Sequence, residues 1–152
     1  MCYCVRFYPK RRMAATIIFP GNFESLDKVC RFVDQIARSG GFDEESLYAI
    51  ETAVDEAFSN IIDHAYGGEN IGTIECSCEI KDSDLIVALH DHGKPFDPNS
   101  IPPPRLSTSL GDRKERGLGL YFMRQFMDEL HFEFSSEGGN SLIMIKRKEK
   151  KG

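Results

Sequence analysis

The chain has 152 residues, of which 41% are hydrophobic, and this length is sufficient for one buried core but short for two domains. Its formal net charge of −5 and isoelectric point near 5.4 disfavour a nucleic-acid-binding surface, because neutralising phosphates requires locally dominant Lys and Arg. No apolar run approaches the roughly 18 to 20 residues of a membrane span, and the first residues lack the apolar centre of a secretion signal, so we expect a soluble, cytoplasmic protein without a membrane partner.

The start of the chain differs from the rest. Residues 1–12 are compositionally unlike the remainder of the chain, and a β-like run begins directly after Met13. We therefore expect residues 1–12 to be a dispensable extension and residues 13–148 to form one domain.

Hydrophobic periodicity divides this domain into strands and helices. Strands are predicted at residues 14–19, 72–80, 84–90, 132–135 and 141–146. Helices are predicted before the Gly40-Gly41 pair, over residues 43–66 with Asp43 as capping residue, and after Gly117, where Leu118, Phe122, Phe126 and Leu130 recur at four-residue steps. Helices on one face of a mixed, mostly antiparallel sheet would give an α+β fold, a two-layer α/β sandwich.

The five cysteines and four histidines do not form a recognisable metal site. No two cysteines form a C-x-x-C pair, and no histidine spacing completes a zinc site. Cys76 and Cys78 alternate with isoleucines, so we expect both thiols to face the core of the second strand. The histidines are interpreted as structural or surface groups: His64, His90, His92 and His131.

The helix over residues 43–66 carries two side chains that could do chemistry together. Glu56 and Asn60 are four residues apart, so they lie on one side of the helix, just off its apolar stripe. A glutamate can take a proton from an attacking hydroxyl, and an asparagine oxygen can complete the octahedral shell of Mg²⁺. The same spacing is common on solvated helix faces, so the pair alone does not identify a site.

A second candidate lies where the third predicted strand ends. Asp91 follows a buried strand and is followed by a turn at Gly93. A carboxylate in this place can accept a hydrogen bond from an exocyclic amino group of a ligand base. An ordinary strand-to-turn aspartate is the alternative.

A third candidate is the glycine-rich start of the last helix. Residues 105–116 are polar and basic without periodicity, which predicts a mobile lid, and Gly117-Leu118-Gly119-Leu120 follows. Glycines at a helix start let the backbone approach a phosphate, whose charge meets unpaired N–H groups. Just upstream, three cations could steady a triphosphate, or could simply form an exposed basic loop: Arg113, Lys114 and Arg116.

The order of these three candidates resembles the nucleotide-binding boxes of the GHKL ATPases. Within that superfamily the phrases DEAFSNIIDHAY, DHGKPFDP and RGLGLYFMRQFMDEL are similar to the bacterial anti-sigma factor serine/threonine kinases, from about Met13 to the end. The resemblance implies the Bergerat ATP-binding fold, with ATP and Mg²⁺ as ligands. One position departs from the superfamily pattern, because Pro95 stands where a second glycine is frequent and removes a backbone donor.

The resemblance also implies a role for each box. Glu56 would be the general base, Asn60 the Mg²⁺ ligand, and Asp91 the adenine reader with Gly93 beside it. The phosphate end of the ATP site would be formed by Arg116, Gly117, Leu118 and Gly119.

The function implied by the resemblance is that of an ATP-dependent serine/threonine protein kinase and anti-sigma factor. It would phosphorylate a small anti-sigma-factor antagonist, sequester a sigma factor and form a homodimer. Two alternatives stay open: an ATP-binding module that sequesters a partner with little phosphotransfer, and a detached histidine-kinase catalytic domain acting on a separate histidine domain.

Overall fold

The computed structural model describes residues 15–95, 118–135 and 137–148, and these residues form five strands and three helices. The strands are β1 (Ala15–Pro20), β2 (Thr73–Lys81), β3 (Asp84–Asp91), β4 (Glu129–Ser135) and β5 (Gly139–Arg147). The helices are α1 (Ser25–Ser39), α2 (Glu44–Asn60), which continues as a π-helical turn over Ile61–Ala65, and α3 (Leu118–Phe126). Over these ranges no helix has the combination of length and apolar character that a membrane crossing demands.

The five strands form one sheet in the order β1-β2-β3-β5-β4, and every pairing between these described strands is antiparallel. Alternate residues of the central strands are buried beneath the helices: Ile74, Cys76, Cys78, Leu85, Val87, Leu89, Leu142 and Met144. Helix α2 contacts both α1 and α3. The predicted α+β architecture, with helices on one face of a mostly antiparallel sheet, is confirmed.

The core position predicted for two cysteines is also confirmed. Cys76 and Cys78 are fully buried, and Cys30 of α1 is nearly so. Burial raises the pKa of Cys30 and of Cys78 to about 12, so these thiols stay protonated and act as small apolar side chains.

Helix α2 begins where the sequence predicts, but its last turn is widened. Asp43 caps the helix, because its Oδ1 accepts from Ser46 N at 2.8 Å. At the other end Tyr66 N donates to the carbonyl of Ile61, five residues back, at 2.9 Å. Such π-helical turns shift the side chains and carbonyls that come after them.

The last helix is shorter than predicted, although Phe126 and Leu130 both pack against the core. Helix α3 ends at Phe126, and Leu130 belongs to β4. The buried side chains are Leu120, Met123 and, directly after the helix, Met127. The helix ends because the chain enters the sheet ladder: Lys146 Nζ donates to the Phe126 carbonyl at 2.8 Å, and Asp128 N donates to the Ile145 carbonyl at 2.9 Å.

Candidate active site

The start of α3 lies against the two side chains that α2 was predicted to contribute. A Cβ atom placed on Gly119 would lie 2.8 Å from Asn60 Nδ2 and 3.0 Å from Glu56 Oε2. A larger residue at this point would force the ends of the Asn60 and Glu56 side chains to turn or α3 to move away. The structure therefore brings Glu56, Asn60 and Gly119 together, although about 60 residues separate the two helices in sequence.

Glu56 lies in surroundings that favour the uptake of a proton. Its side chain is partly buried, and burial is the larger cause that raises the pKa of Glu56 above its ordinary value. The neighbouring carboxylate of Asp55 adds to the shift in the same direction. A glutamate with a raised pKa is a stronger proton acceptor than a free one, which suits a general base.

Asp91 ends strand β3 and is held by two donors. It is 4% exposed, and its Oδ1 accepts from Gly93 N at 2.8 Å and from Asn140 Nδ2 at 3.0 Å. Asn140 Nδ2 also donates to the Gly93 carbonyl at 2.9 Å. Across the described ranges no donor reaches Asp91 Oδ2, so this oxygen is available to a ligand.

The loop after Asp91 is seated on the end of α2. A Cβ atom on Gly93 would collide with the Ala65 carbonyl, and Lys94 N donates to that carbonyl at 2.8 Å. Ala65 closes the π-helical turn. The Ala65 carbonyl at the end of the widened turn thus accepts a hydrogen bond from the loop, and Gly93 permits the close approach.

A cleft lies between Asn60 and Asp91. It is lined by Asn60 of α2, by Asp91 and by Asn140. Its apolar walls come from α2, α3 and the sheet: Ala57, Ile61, Met123, Phe132 and Leu142. A mostly apolar cleft with a few fixed polar groups is the usual form of a site for a planar base.

Asn140 is a site residue that the sequence did not indicate. It reads as part of the turn between the last two strands, whereas it lies in β5 and is 6% exposed. In the sheet register Asn140 is the direct partner of Asp91. Only the pairing of β3 with β5 could have revealed this contact.

Some predicted features lie outside the described residues. They are the extension over residues 1–12, the lid over 105–116 with its cations Arg113, Lys114 and Arg116, and Gly117. For Leu118 the structure gives the helical backbone alone. The roles of these residues stay predictions.

The chain matches known proteins along most of its length. Residues 19–146 match the family model described as the histidine kinase-like ATPase domain. The chain is 34% identical to an anti-sigma F factor of Clostridium novyi over 103 residues, 68% of this chain and 72% of that protein. It is 31% identical to the serine-protein kinase RsbW of Halalkalibacterium halodurans over 131 residues, 84% of this chain and 78% of that protein.

Two solved structures show the same fold. The RsbU and RsbW domains of Rv1364c from Mycobacterium tuberculosis match 88% of this chain with a TM-score of 0.61 at 14% identity, and the match spans 32% of that longer chain. The catalytic domain of the histidine kinase ThkA matches 88% of this chain with a TM-score of 0.53 at 18% identity, over 98% of that domain. The chain therefore belongs to the histidine kinase-like ATPase domain family, and its relatives there include anti-sigma F factors and RsbW serine-protein kinases.

Proposed function

We propose that this protein is an ATP-dependent serine/threonine protein kinase and anti-sigma factor, which phosphorylates a small antagonist protein and sequesters a sigma factor. The names of its relatives support both activities. The observation that carries the proposal is that Gly119 lies against Glu56 and Asn60, beside the cleft that Asp91 lines. A carboxylate that could read a base lines this cleft, and a proton acceptor and a helix start lie beside it.

The cleft suggests how ATP is oriented. The adenine would lie among the apolar walls with its amino group donating to Asp91, whose Oδ1 is already fixed by Gly93 and Asn140. The phosphates would then reach the first turn of α3 at Gly119, where backbone N–H groups and the helix dipole favour negative charge. Arg116 and Gly117, just before this turn, are proposed to complete the phosphate site.

The residues present also fit a magnesium ion shared with the nucleotide. The described part of the chain has no group of three or more His, Cys, Asp or Glu that could hold a metal by itself. Mg²⁺ bound with a nucleotide needs only one or two protein oxygens, since phosphates and water supply the others. We propose Asn60 as the ligand, and the ion would neutralise charge on the phosphates.

Glu56 is the proposed general base. It would accept the proton of a serine or threonine hydroxyl on the antagonist as that oxygen forms a bond to the γ-phosphorus. The bond from the γ-phosphorus to the bridging oxygen breaks, and ADP leaves. Positioning and charge neutralisation account for most of the acceleration in reactions of this class.

The proposal includes a homodimer. Among the described strands β1 has a neighbour on one side only, and it exposes Ile17 by 41% and Ile18 by 63%. An edge strand with exposed apolar side chains is a surface on which a second chain can pair. Light scattering of the purified protein at several concentrations measures the mass of the assembly.

Incubation with labelled ATP and the candidate antagonist tests the proposed activity. We expect acid-stable label on a serine or threonine of the antagonist, and none when the acceptor residue is replaced by alanine. Label that is lost in acid would indicate phosphohistidine and a histidine kinase instead. No label, with ATP-dependent binding of the partner retained, would indicate a sequestering module.

A further inference from the structure

The side chain of Tyr66 joins three parts of the fold. Tyr66 comes directly after the π-helical turn of α2, and its hydroxyl donates to the Thr73 carbonyl at the start of β2, at 2.6 Å. A carbonyl can only accept, so the direction of this bond is fixed. The lone pair of the same hydroxyl accepts from His92 N at 3.0 Å.

The peptide held in this way lies directly after Asp91. His92 N is the nitrogen of the peptide bond that joins Asp91, the proposed adenine-reading residue, to the rest of the loop. Asn140 holds Asp91 and the Gly93 carbonyl from β5, and the Ala65 carbonyl holds Lys94 N. Besides Asp91 itself, two described side chains bond to the loop backbone. Asn140 does so from β5, and Tyr66 does so from the end of the helix that carries Glu56 and Asn60.

The tyrosine itself has little freedom. Gly72 lies against its ring, so closely that a Cβ atom there would overlap the ring carbons. Gly72 is in turn fixed by a hydrogen bond of 2.9 Å from Gly21 N to its carbonyl. Burial raises the pKa of the Tyr66 hydroxyl, which therefore stays protonated and able to donate at neutral pH.

We propose that Tyr66 is a positioning residue that sets the distance between the adenine-reading loop and the α2 side chains Glu56 and Asn60, and thereby the selectivity for adenine nucleotides. The inference rests on the proposed nucleotide site. If the loop could shift relative to α2, the start of α3 would still bind phosphates, but Asp91 would be placed less well for an exocyclic amino group. Discrimination between ATP and GTP should therefore depend on this hydroxyl.

The test compares Tyr66→Phe with the matched control Tyr48→Phe. Tyr48 is 67% exposed and contacts Phe126 through its ring, so loss of its hydroxyl should change nothing. Titration calorimetry with ATP and with GTP, each with Mg²⁺, should show ATP affinity reduced about 3- to 10-fold in Tyr66→Phe, the scale of one neutral hydrogen bond. GTP affinity should change less, and KM for ATP should rise while kcat stays within about twofold.

An unchanged ratio of ATP to GTP affinity in Tyr66→Phe would overturn the inference, as would equal losses in kcat and in both affinities. Hydrogen exchange of the His92 amide gives a measurement on the wild type that does not depend on the variant's folding. Slow exchange is expected, and exchange as fast as in an unstructured peptide would overturn the inference. Failure of the wild type to bind ATP would remove the proposed nucleotide site, and the inference with it.

Discussion

The hydrogen bonds at Asp91 converge on one of its two oxygens. Gly93 N and Asn140 Nδ2 both donate to Oδ1, so the carboxylate has one orientation and keeps Oδ2 for a ligand. Sites that hydrogen-bond a substrate group reject ligands lacking that group, because a buried polar atom would otherwise be left unpaired. We therefore expect the selectivity of this cleft to depend on the residues that hold Asp91 as well as on Asp91.

Replacement of Asn140 by aspartate tests this dependence. Asn140→Asp conserves shape, removes both donated hydrogen bonds and places a second carboxylate beside Asp91. We expect ATP affinity to fall by about 10-fold or more, since two bonds are lost and like charges are opposed. Asn70→Asp is the control, because Asn70 is exposed and its Oδ1 already acts as an acceptor from Asn22. Equal affinities for ATP in the two variants would contradict this role of Asn140.

The role of Glu56 is tested by Glu56→Gln. We expect phosphate transfer to the antagonist to fall by about 10²-fold or more, the scale of a lost general base, while ATP binding is nearly intact. The change also removes a partly buried carboxylate whose charged form the fold disfavours, so thermal stability at neutral pH should not fall. Single-turnover rates measure phosphate transfer, and calorimetry on the same samples measures ATP binding. A transfer rate in Glu56→Gln equal to that of the wild type would exclude Glu56 as the base.

The raised pKa of Glu56 predicts the sign of the pH dependence. A raised folded-state pKa means that the folded protein binds this proton more tightly than the unfolded chain, so its contribution to stability is present at low pH and is lost as the pH rises through that pKa. Activity has the opposite trend, because the base must be free of its proton. Single-turnover rates should fall on acidification with a midpoint above 4.5, the ordinary value, and a wild-type midpoint at or below it would contradict this.

Among the candidate site residues, sequence reasoning could indicate only those whose signal is local. Glu56 and Asn60 are four residues apart on one helix, and Asp91 and Gly93 lie at one strand end, so spacing and motif sufficed. Asn140 could not be found in this way, because its role comes from pairing with a strand about 50 residues earlier in the chain. Its neighbours in sequence predict only a glycine turn.

At the scale of elements, four of the five described strands were predicted to within two residues at each end, whereas β4 begins three residues before its predicted start and α3 ends earlier than predicted. Strand alternation is a local signal, whereas the end of α3 is set by contacts with β5, including the bond from Lys146 to the last helical carbonyl. The π-helical turn after Asn60 was not predicted either. Its last carbonyl, that of Ala65, accepts from Lys94 N in a loop that is distant in sequence, and such a contact leaves no local signal.

The contact between α2 and α3 gives a prediction for Gly119→Ala. The added methyl group would meet Asn60 and Glu56 at about 3 Å, so α3 must move away or the two side chains must turn. We expect ATP affinity to fall by about 10-fold or more with the fold retained, because alanine favours the helix. Gly138→Ala is the control, since Gly138 lies in an exposed turn and an added Cβ would approach only the Ser135 side chain. Calorimetry measures the ATP affinity of both variants, and circular dichroism checks that they are folded. Equal ATP affinities in Gly119→Ala and Gly138→Ala would contradict the prediction.

At the scale of the whole molecule, the sheet serves as the support on which distant segments meet. Strand β3 delivers Asp91 and β5 delivers Asn140 to one end of the sheet, and α2 lies across the buried face with Glu56 and Asn60 at the same end of the molecule as Gly119. The described residues thereby place these four candidate site residues, Asp91, Asn140, Glu56 and Asn60, at one end of the fold. Binding of a protein substrate or a sigma factor would use surfaces around that site.

Titration calorimetry with ATP, in the presence and absence of Mg²⁺, tests this convergence most directly. The wild type should bind ATP with Mg²⁺, Asp91→Ala should bind far more weakly, and Asn60→Ala should lose the part of the affinity that depends on Mg²⁺. Each variant removes one of the groups that the fold brings together. Absence of any binding heat when ATP and Mg²⁺ are added to the folded wild-type protein would contradict the account.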